Sequence, residues 1–380
     1  MDPRDSPEQA AFRADVRRWL SENVPGDWDR SDRARLGRQW HRRLHRAGFV
    51  GLSWPAEFGG RGLGPAMQFI WQEEYSRAKA PPMLNVIGLG WAGPAIMLHG
   101  SPEQKSRYLP KILSGDEIWC QLFSEPGAGS DLAGLTTRAE PADGGFVLNG
   151  QKVWTSVAAE ADLGLCVART DPSASRHAGI SMLIVDMHQP GVEVRPIRQM
   201  NGAADFSEVF LTDVHAGPDA LIGPLNGGWA VTITTLMHER IGLSAGGGSL
   251  WGQGPGTADL GALASSTESW TGSRRQDLAQ VCVDAFAHRA LKLRLVTQAA
   301  RGGQPGAEAS VQKLFGDEWG QRLNGLAVDC LGPQGLLDGP WASSFLYSPA
   351  LTIGGGTTQV QKNIIGERIL GLPKEGPAKP

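Results

Sequence analysis

Phe146-Val-Leu-Asn149-Gly150-Gln-Lys-Val153 is where the chain changes period. Upstream, apolar residues recur at helical spacing. From about Trp119 they alternate, and Asn149-Gly150 tolerates the positive φ of a two-residue type I′ turn, so the stretch predicts a β-hairpin. Short runs bounded by turn residues follow at Gly164 to Ala168, Ile180 to Asp186, Gly191 to Ile197 and Glu208 to Leu211. No helical pattern separates them, which points to an antiparallel sheet or barrel rather than a parallel βαβ sheet.

On both sides of this β region the pattern is helical. Ser6-Pro7-Glu8-Gln9 is a capping box with proline at the first helical position, and Phe12, Val16, Trp19 and Leu20 then share one face until Pro25-Gly26. Ser101-Pro102-Glu103-Gln104 repeats this grammar, opening a helix through Tyr108, Ile112 and Leu113 to Ser114-Gly115. Gly51 to Pro65, containing Trp54-Pro55-Ala56-Glu57-Phe58-Gly59-Gly60, is too rich in breakers to be helical throughout and predicts a folded loop. After Gly227-Gly228, helices are expected from Trp229 to about Leu243, Asp277 to Ala300 and Ala307 to Leu331, enough for a bundle. The Gly/Ser/Thr-rich segment Gly246 to Gly272 predicts a surface loop. The expected fold class is α+β and multidomain: helices over 1–118, a central antiparallel β-barrel-like domain over 119–224, and a helical bundle over 225–380.

With 380 residues, 41% hydrophobic and 20% charged, the chain is an ordinary globular one of two or three domains, and dominant disorder is excluded. A net charge of −3 supplies no large basic field for nucleic acid or an anionic membrane. The polar start Met1-Asp-Pro-Arg-Asp-Ser lacks a signal-peptide core, and no uncharged apolar run approaches the ~20 residues of a membrane span. A cytoplasmic protein without a membrane span is expected. Cys120, Cys166, Cys282 and Cys330 form no CxxC pair, so buried free thiols are expected rather than a metal knuckle or disulfide framework. Gly88-Leu-Gly90-Trp-Ala-Gly93 matches a dinucleotide-binding pattern but lacks a convincing strand before it and a second parallel strand after it. His41 and His45 lie at i, i+4 with no glutamate between them and no third ligand in view, so surface or interface placement is expected and no metal site. The arginines from Arg30 to Arg46 read as a solvated helix face or a subunit contact.

Three segments carry the chemistry. Ser124-Glu125-Pro126-Gly127-Ala128-Gly129-Ser130-Asp131 follows a strand and is built of small residues and hydroxyls whose N–H groups suit a carbonyl-rich or anionic ligand. Gln151-Lys152-Val153-Trp154-Thr155-Ser156 places an indole before two hydroxyls, and Ile353-Gly-Gly-Gly356-Thr357-Thr358-Gln359-Val-Gln361 forms a glycine turn before a helix. Together with the Trp54 to Gly60 loop, His99 to Lys105, and Asn363-Ile-Ile-Gly366-Glu-Arg-Ile-Leu-Gly-Leu-Pro373, this order resembles the acyl-CoA dehydrogenase family over nearly the whole chain.

The resemblance implies FAD, an acyl-CoA thioester (or an acyl carrier protein thioester) and oxidation of the Cα–Cβ bond to a trans double bond. It also implies electron-transfer flavoprotein as the acceptor and a homo- or hetero-oligomer, dimer or tetramer. By position, Leu122, Phe123, Ser124, Gly129 and Ser130 border the flavin, Trp154, Thr155 and Ser156 flank it with a hydroxyl at N5, and Thr357 and Gln359 hold FAD. Ser130, Arg240, Gly355 and Gly356 fall at substrate-binding positions. Many members carry their α-proton base as Glu in the turn that here reads Gly354-Gly355-Gly356-Thr357. A minority carry it on a bundle helix before an Arg, where this chain has Met237-His238-Glu239-Arg240, so Glu239 is the expected base. The plain alternative is a Glu239 that pairs with Arg240 and stabilises the bundle. The Arg-x-x-Phe-Gly that often reaches a neighbouring FAD is missing, with Arg274 or Arg275 the nearest replacements, and Asp329 stands where a Gln is usual. Two other functions remain open at this level: a flavin-dependent monooxygenase of the same fold, and a non-catalytic subunit of a heteromeric dehydrogenase.

Overall fold

The computed structural model describes residues 4–26, 28, 32–246, 254–266, 272–301 and 306–374, with 240–246 as backbone only. In chain order the helices are α1 (Pro7–Asn23), α2 (Arg33–Arg46), α3 (Pro65–Arg77), α4 (Gly93–His99), α5 (Pro102–Ser114), α6 (Gly228–Gly246), α7 (Thr257–Ser266), α8 (Ser273–Ala300), α9 (Glu308–Leu331), α10 (Pro340–Leu351) and α11 (Thr358–Arg368). The strands are β1 (Trp119–Leu122), β2 (Arg138–Ala142), β3 (Gly145–Ser156), β4 (Leu163–Arg169), β5 (Ile180–Asp186), β6 (Val192–Ile197), β7 (Phe206–Ala216) and β8 (Leu221–Ile222). No helix among the described residues is long and apolar enough to cross a membrane.

Two compact units result. The sheet unit comprises Pro25–Leu63 and Pro81–Glu239, and the bundle unit comprises Met1–Val24, Gly64–Ala80 and Arg240–Pro380. In the sheet unit the strand order is β6-β7-β3-β2-β4-β5-β8, with β1 beside β4. The long pairings β2·β3, β3·β7, β4·β5 and β6·β7 are antiparallel, while β1 runs parallel to β4. Leu165, Cys166, Val167 and Ala168 on β4, and Ile180, Met182, Leu183 and Val185 on β5, are wholly buried.

The hairpin turn is not at Asn149-Gly150. Asp143-Gly144 turns β2 into β3, and β3 runs straight through Asn149-Gly150 as the strand between β2 and β7. Paired on both sides, the segment gains more from two ladders than from a local turn. Asn149 instead serves a bulge: between Leu148↔Val214 and Gly150↔Leu211, β7 holds one residue more than β3. The Asn149 amide donates to Asp213 Oδ1 (3.1 Å) and Asn149 Oδ1 accepts from Asp213 N (2.9 Å), bridging that irregularity. Gly150 is required by close approach, since a Cβ there would lie 2.8 Å from Thr137 Cα.

Other expectations also change. The Gly246 to Gly272 segment contains α7, whose Leu260 is buried with Val281, Leu323 and Ala327 in the bundle core. Residues 247–253 and 267–271 of that segment lie outside the described residues. Gly88–Ala92 is a π-helical turn rather than a phosphate loop; Leu89 O accepts from Trp54 Nε1 (3.0 Å), and a Cβ on Gly93 would lie 2.2 Å from the Trp54 ring. His41 is buried rather than superficial, with Nε2 3.0 Å from Leu113 O. Arg33 pairs with Glu160 and Asp205, and Arg38 with Asp162, so part of the arginine cluster is spent inside the sheet unit. Cys282 is exposed, unlike the other three cysteines. Both capping boxes form as the sequence predicts, at Ser6 and Ser101.

In the bundle unit α8 packs on α9 and α3, and α1 on α3. Glu74, nearly inaccessible on α3, accepts from Arg13 and Arg17 of α1.

Burial lowers the imidazole of His41 to about 4; burial, with the nearby Lys292 charge, does the same to His288 in the bundle unit. Both fall below the ordinary value of about 6.5, so unfolded chains take up these protons first. The stability held in the neutral forms is complete above that value and is lost as the pH falls toward 4. Urea midpoints are therefore expected to drop over that interval, and a His41→Gln, His288→Gln double variant to lose much of the slope. A wild-type midpoint flat across the interval contradicts this.

Candidate active site

The site grows out of a second bulge. Between Lys152↔Val209 and Thr155↔Ser207 the extra residue is on β3, and Trp154 takes it in the left-handed region at φ 57°. For a bulky residue that conformation costs roughly 1–2 kcal/mol. The bulge turns the Trp154 indole outward, 59% exposed and edge-on to Phe206 at 6.1 Å between centroids. It turns Thr155 inward, 1% exposed, with its hydroxyl making no hydrogen bond among the described residues. Ser156 is buried, and Val157 also has a positive φ, 62°.

A buried ion pair anchors this strained end. Lys152, wholly inaccessible, donates to Glu125 Oε1 (2.9 Å), Phe123 O (3.2 Å) and Val167 O (2.8 Å). Glu125 also accepts from Thr136 N (2.7 Å), Thr136 Oγ1 (2.8 Å) and Thr137 N (2.9 Å). Burial alone raises the Glu125 carboxyl, but the Lys152 charge and the bonds from Thr137 and Thr136 outweigh it and hold it at about 2. Val153 N donates to Ser124 O (2.8 Å), tying β3 to the start of the Ser124–Asp131 loop.

Of that loop's candidates, Leu122 and Phe123 are buried, Ser124 is half-buried, and Gly129 and Ser130 are exposed. Asp131 is ion-paired with Arg176. One residue before Leu122, Gln121 donates from Nε2 to Glu239 Oε2 at 3.3 Å, while its own Oε1 is buried without a partner among the described residues. Glu239 is half-buried on α6 and belongs to the sheet unit.

Gly355, Gly356, Thr357 and Gln359 belong to the bundle unit, as does Arg240, whose side chain lies outside the described residues. Gly355 and Gly356 have φ of 65° and 95°. Gln361, fully buried, donates to both of their carbonyls (3.2 and 3.1 Å), and Thr357 caps α11 by accepting from Val360 N. The Gly355 N–H makes no hydrogen bond among the described residues. Gln359 is exposed.

The motifs thus located Trp154, Thr155, Ser156 and Glu239 in one unit and the glycine turn in the other. They did not single out Lys152, Glu125 or Gln121. Lys152 carried one signal, a lone lysine inside a strand that is otherwise apolar or small on its inward face. An outward indole beside an inward, unsatisfied hydroxyl suits a flat, partly polar ring. No group of three or more His, Cys, Asp or Glu among the described residues is placed to hold a metal.

Comparison with known proteins agrees along the chain. Family profiles described as acyl-CoA dehydrogenase N-terminal, middle and C-terminal domains match residues 6–116, 120–214 and 226–370. The chain is 40% identical over 380 residues to acyl-CoA dehydrogenase IpdE1 of Mycobacterium tuberculosis, covering 96% of this chain and 98% of that one. Among solved structures it is similar to the Tcur3481-Tcur3483 steroid ACAD (TM-score 0.87, 31% identity, 99% and 100% of the chains). It is also similar to the ChsE4-ChsE5 complex from Mycobacterium tuberculosis (TM-score 0.86, 29% identity, 99% and 100%).

Removing one partner of a buried pair leaves an uncompensated charge, so Lys152→Met is expected to cost about 3–5 kcal/mol by urea denaturation. Lys152→Met with Glu125→Gln should cost less than the two single changes summed. Because Glu125 sits at about 2 instead of the ordinary 4.5, its contribution is complete above 4.5 and is lost as the pH falls toward 2. Additive losses in the double variant would show that the two side chains act independently.

Proposed function

Because the chain belongs to the acyl-CoA dehydrogenase family, we propose that it oxidises the Cα–Cβ bond of an acyl-CoA thioester to the trans-2-enoyl product, with Glu239 as the α-proton base and FAD as its resident cofactor. The observation that carries this reading is the strained β3 bulge, which presents an exposed indole and a buried, unsatisfied Thr155 hydroxyl in the same unit as the Glu239 carboxylate. The donor set fits a flavin: Trp154 offers an apolar face, Thr155 a hydroxyl, and Ser124, Gly129, Ser130 and Ser156 further polar and backbone contacts, with Leu122 and Phe123 packed behind. Thr357 and Gln359, in the bundle unit, stand at positions that the family gives to FAD. Bound FAD supplies the hydride acceptor for the β-hydrogen.

The residues of the chain do the rest. Glu239 takes the α proton, and a positioned base of this kind contributes about 10²–10⁴ in rate. The Gly355 N–H, which makes no hydrogen bond among the described residues, is the donor for the thioester carbonyl, a role that needs no side chain and survives the loss of the usual turn glutamate. Ser130 in the sheet unit, and Gly356 and Arg240 in the bundle unit, stand at positions that the family gives to the thioester arm. The named similarities to a steroid ACAD and to the ChsE4-ChsE5 complex support a bulky, polycyclic acyl group and assembly as a homo- or hetero-oligomer. Electrons leave to an electron-transfer flavoprotein.

Anaerobic titration of the FAD-loaded protein with saturated acyl-CoAs, from short and branched to steroid-like, tests the reading. Bleaching of the flavin is expected with the bulkiest class. Glu239→Gln should keep the flavin spectrum and slow bleaching by at least about 10²-fold. A near-normal rate in that variant would sink the assignment of the base.

A further inference from the structure

β1 is a buried strand with one exception. Trp119, Cys120 and Leu122 are wholly inaccessible, whereas the third position carries Gln121, half-buried. The strand is held in register with β4, Gln121 opposite Leu165, and Trp119 N donates to Asn85 Oδ1 (3.0 Å). A leucine would serve packing there better than an amide, because a buried amide group without a partner is costly. Gln121 nevertheless has its Nε2 on Glu239 Oε2 and its Oε1 buried without a partner among the described residues.

That half-satisfied state has a chemical reading. An ionised carboxylate only accepts hydrogen bonds, so the amide must present its N–H to Glu239 before reaction. Once Glu239 holds a proton, it donates, and a half-turn of the same amide presents Oε1 to receive it. A glutamine therefore supports both protonation states at one place on a rigid strand, which lysine or leucine cannot do.

We propose that Gln121 is a positioning residue for Glu239, fixing its carboxylate toward the α carbon and supporting it before and after proton transfer. The inference rests on the reading of Glu239 as the base. Gln121 exchanges no atom. The α proton goes to a Glu239 oxygen, its C–H pair becomes the second Cα–Cβ bond, and the β-hydrogen leaves with its own pair to the oxidised cofactor.

The test uses the FAD-loaded protein and Gln121→Met, which keeps volume and removes donor and acceptor. The flavin spectrum, FAD dissociation constant and melting temperature are expected to stay near wild type and KM to change little. The rate of flavin reduction should fall about 10- to 100-fold, and the isotope effect from α-deuterated acyl-CoA should rise as proton abstraction becomes more rate-limiting. A reduction rate within twofold of wild type with an unchanged isotope effect overturns the proposal. If the Met variant fails to retain FAD, Gln121→Leu provides a second apolar side chain that removes donor and acceptor. The same rate loss with FAD retained supports the proposal, while loss of FAD in both variants overturns it by making Gln121 a cofactor-holding residue. Glu239→Gln run in parallel separates the two levels: an inactive Glu239→Gln beside a normal Gln121→Met sinks only this inference, and an active Glu239→Gln sinks the base and its positioner together.

Discussion

The sheet unit depends on one buried charge. Lys152 has no water to solvate it, and its three acceptors lie on two segments, Phe123 and Glu125 just after β1 and Val167 on β4. For stability alone such a pair has no clear advantage over apolar side chains of similar volume. Its distinguishing contribution is direction. An ammonium fixes three acceptors around itself, and Glu125 extends that frame to Thr136 and Thr137, so loop, β3 and β4 are set relative to each other without a continuous ladder. Removing either member leaves a charge that nothing else in that interior can compensate.

Strain at the end of β3 follows from that frame. A left-handed tryptophan and a left-handed β-branched valine within four residues persist only where surroundings over-determine the backbone. Lys152 lies immediately before the bulge, and Val153 N is tied to Ser124 O, so the chain enters Trp154 with little freedom. One inserted residue changes two side chains at once: the indole goes out and the hydroxyl goes in. Without the insertion, strict alternation would put Trp154 and Thr155 on the opposite faces.

Much of this was legible in the residues, and the failures share a cause. Capping boxes at Ser6 and Ser101 formed because their partners are three residues away, and β5 matched its predicted bounds because a buried strand reads as an unbroken apolar run. Asn149-Gly150 misled because its turn propensity is local, whereas β2 and β7 claim the same backbone from afar. His41 misled in the same way: its place was set by Leu113 and by the bare backbone of Gly115, where a Cβ would lie 2.5 Å from the imidazole. In the sheet unit, the motifs singled out Trp154, Thr155 and Glu239 as candidates, but not the bulge, the Lys152–Glu125 pair or the Gln121 contact. Each of these joins residues far apart in the chain, and no periodicity encodes them.

The glycine turn in the bundle unit and Glu239 in the sheet unit are constrained in different ways, the one through its backbone and the other through its side chain. At Gly355 and Gly356 the φ angles favour glycine, and a Cβ on Gly356 would lie 2.5 Å from Gln361 Nε2, the group that clamps the turn's carbonyls. With both carbonyls engaged by Gln361, the turn's shape is set by its backbone. A carboxylate placed on a helix escapes that backbone constraint but acquires another, since a glutamate has more rotatable bonds to fix than a turn residue held by its own main chain. A neighbouring side chain on a stiffer element adds to the control of its orientation. β1, paired to β4 and anchored through Asn85, is such an element, and it carries Gln121 to Glu239.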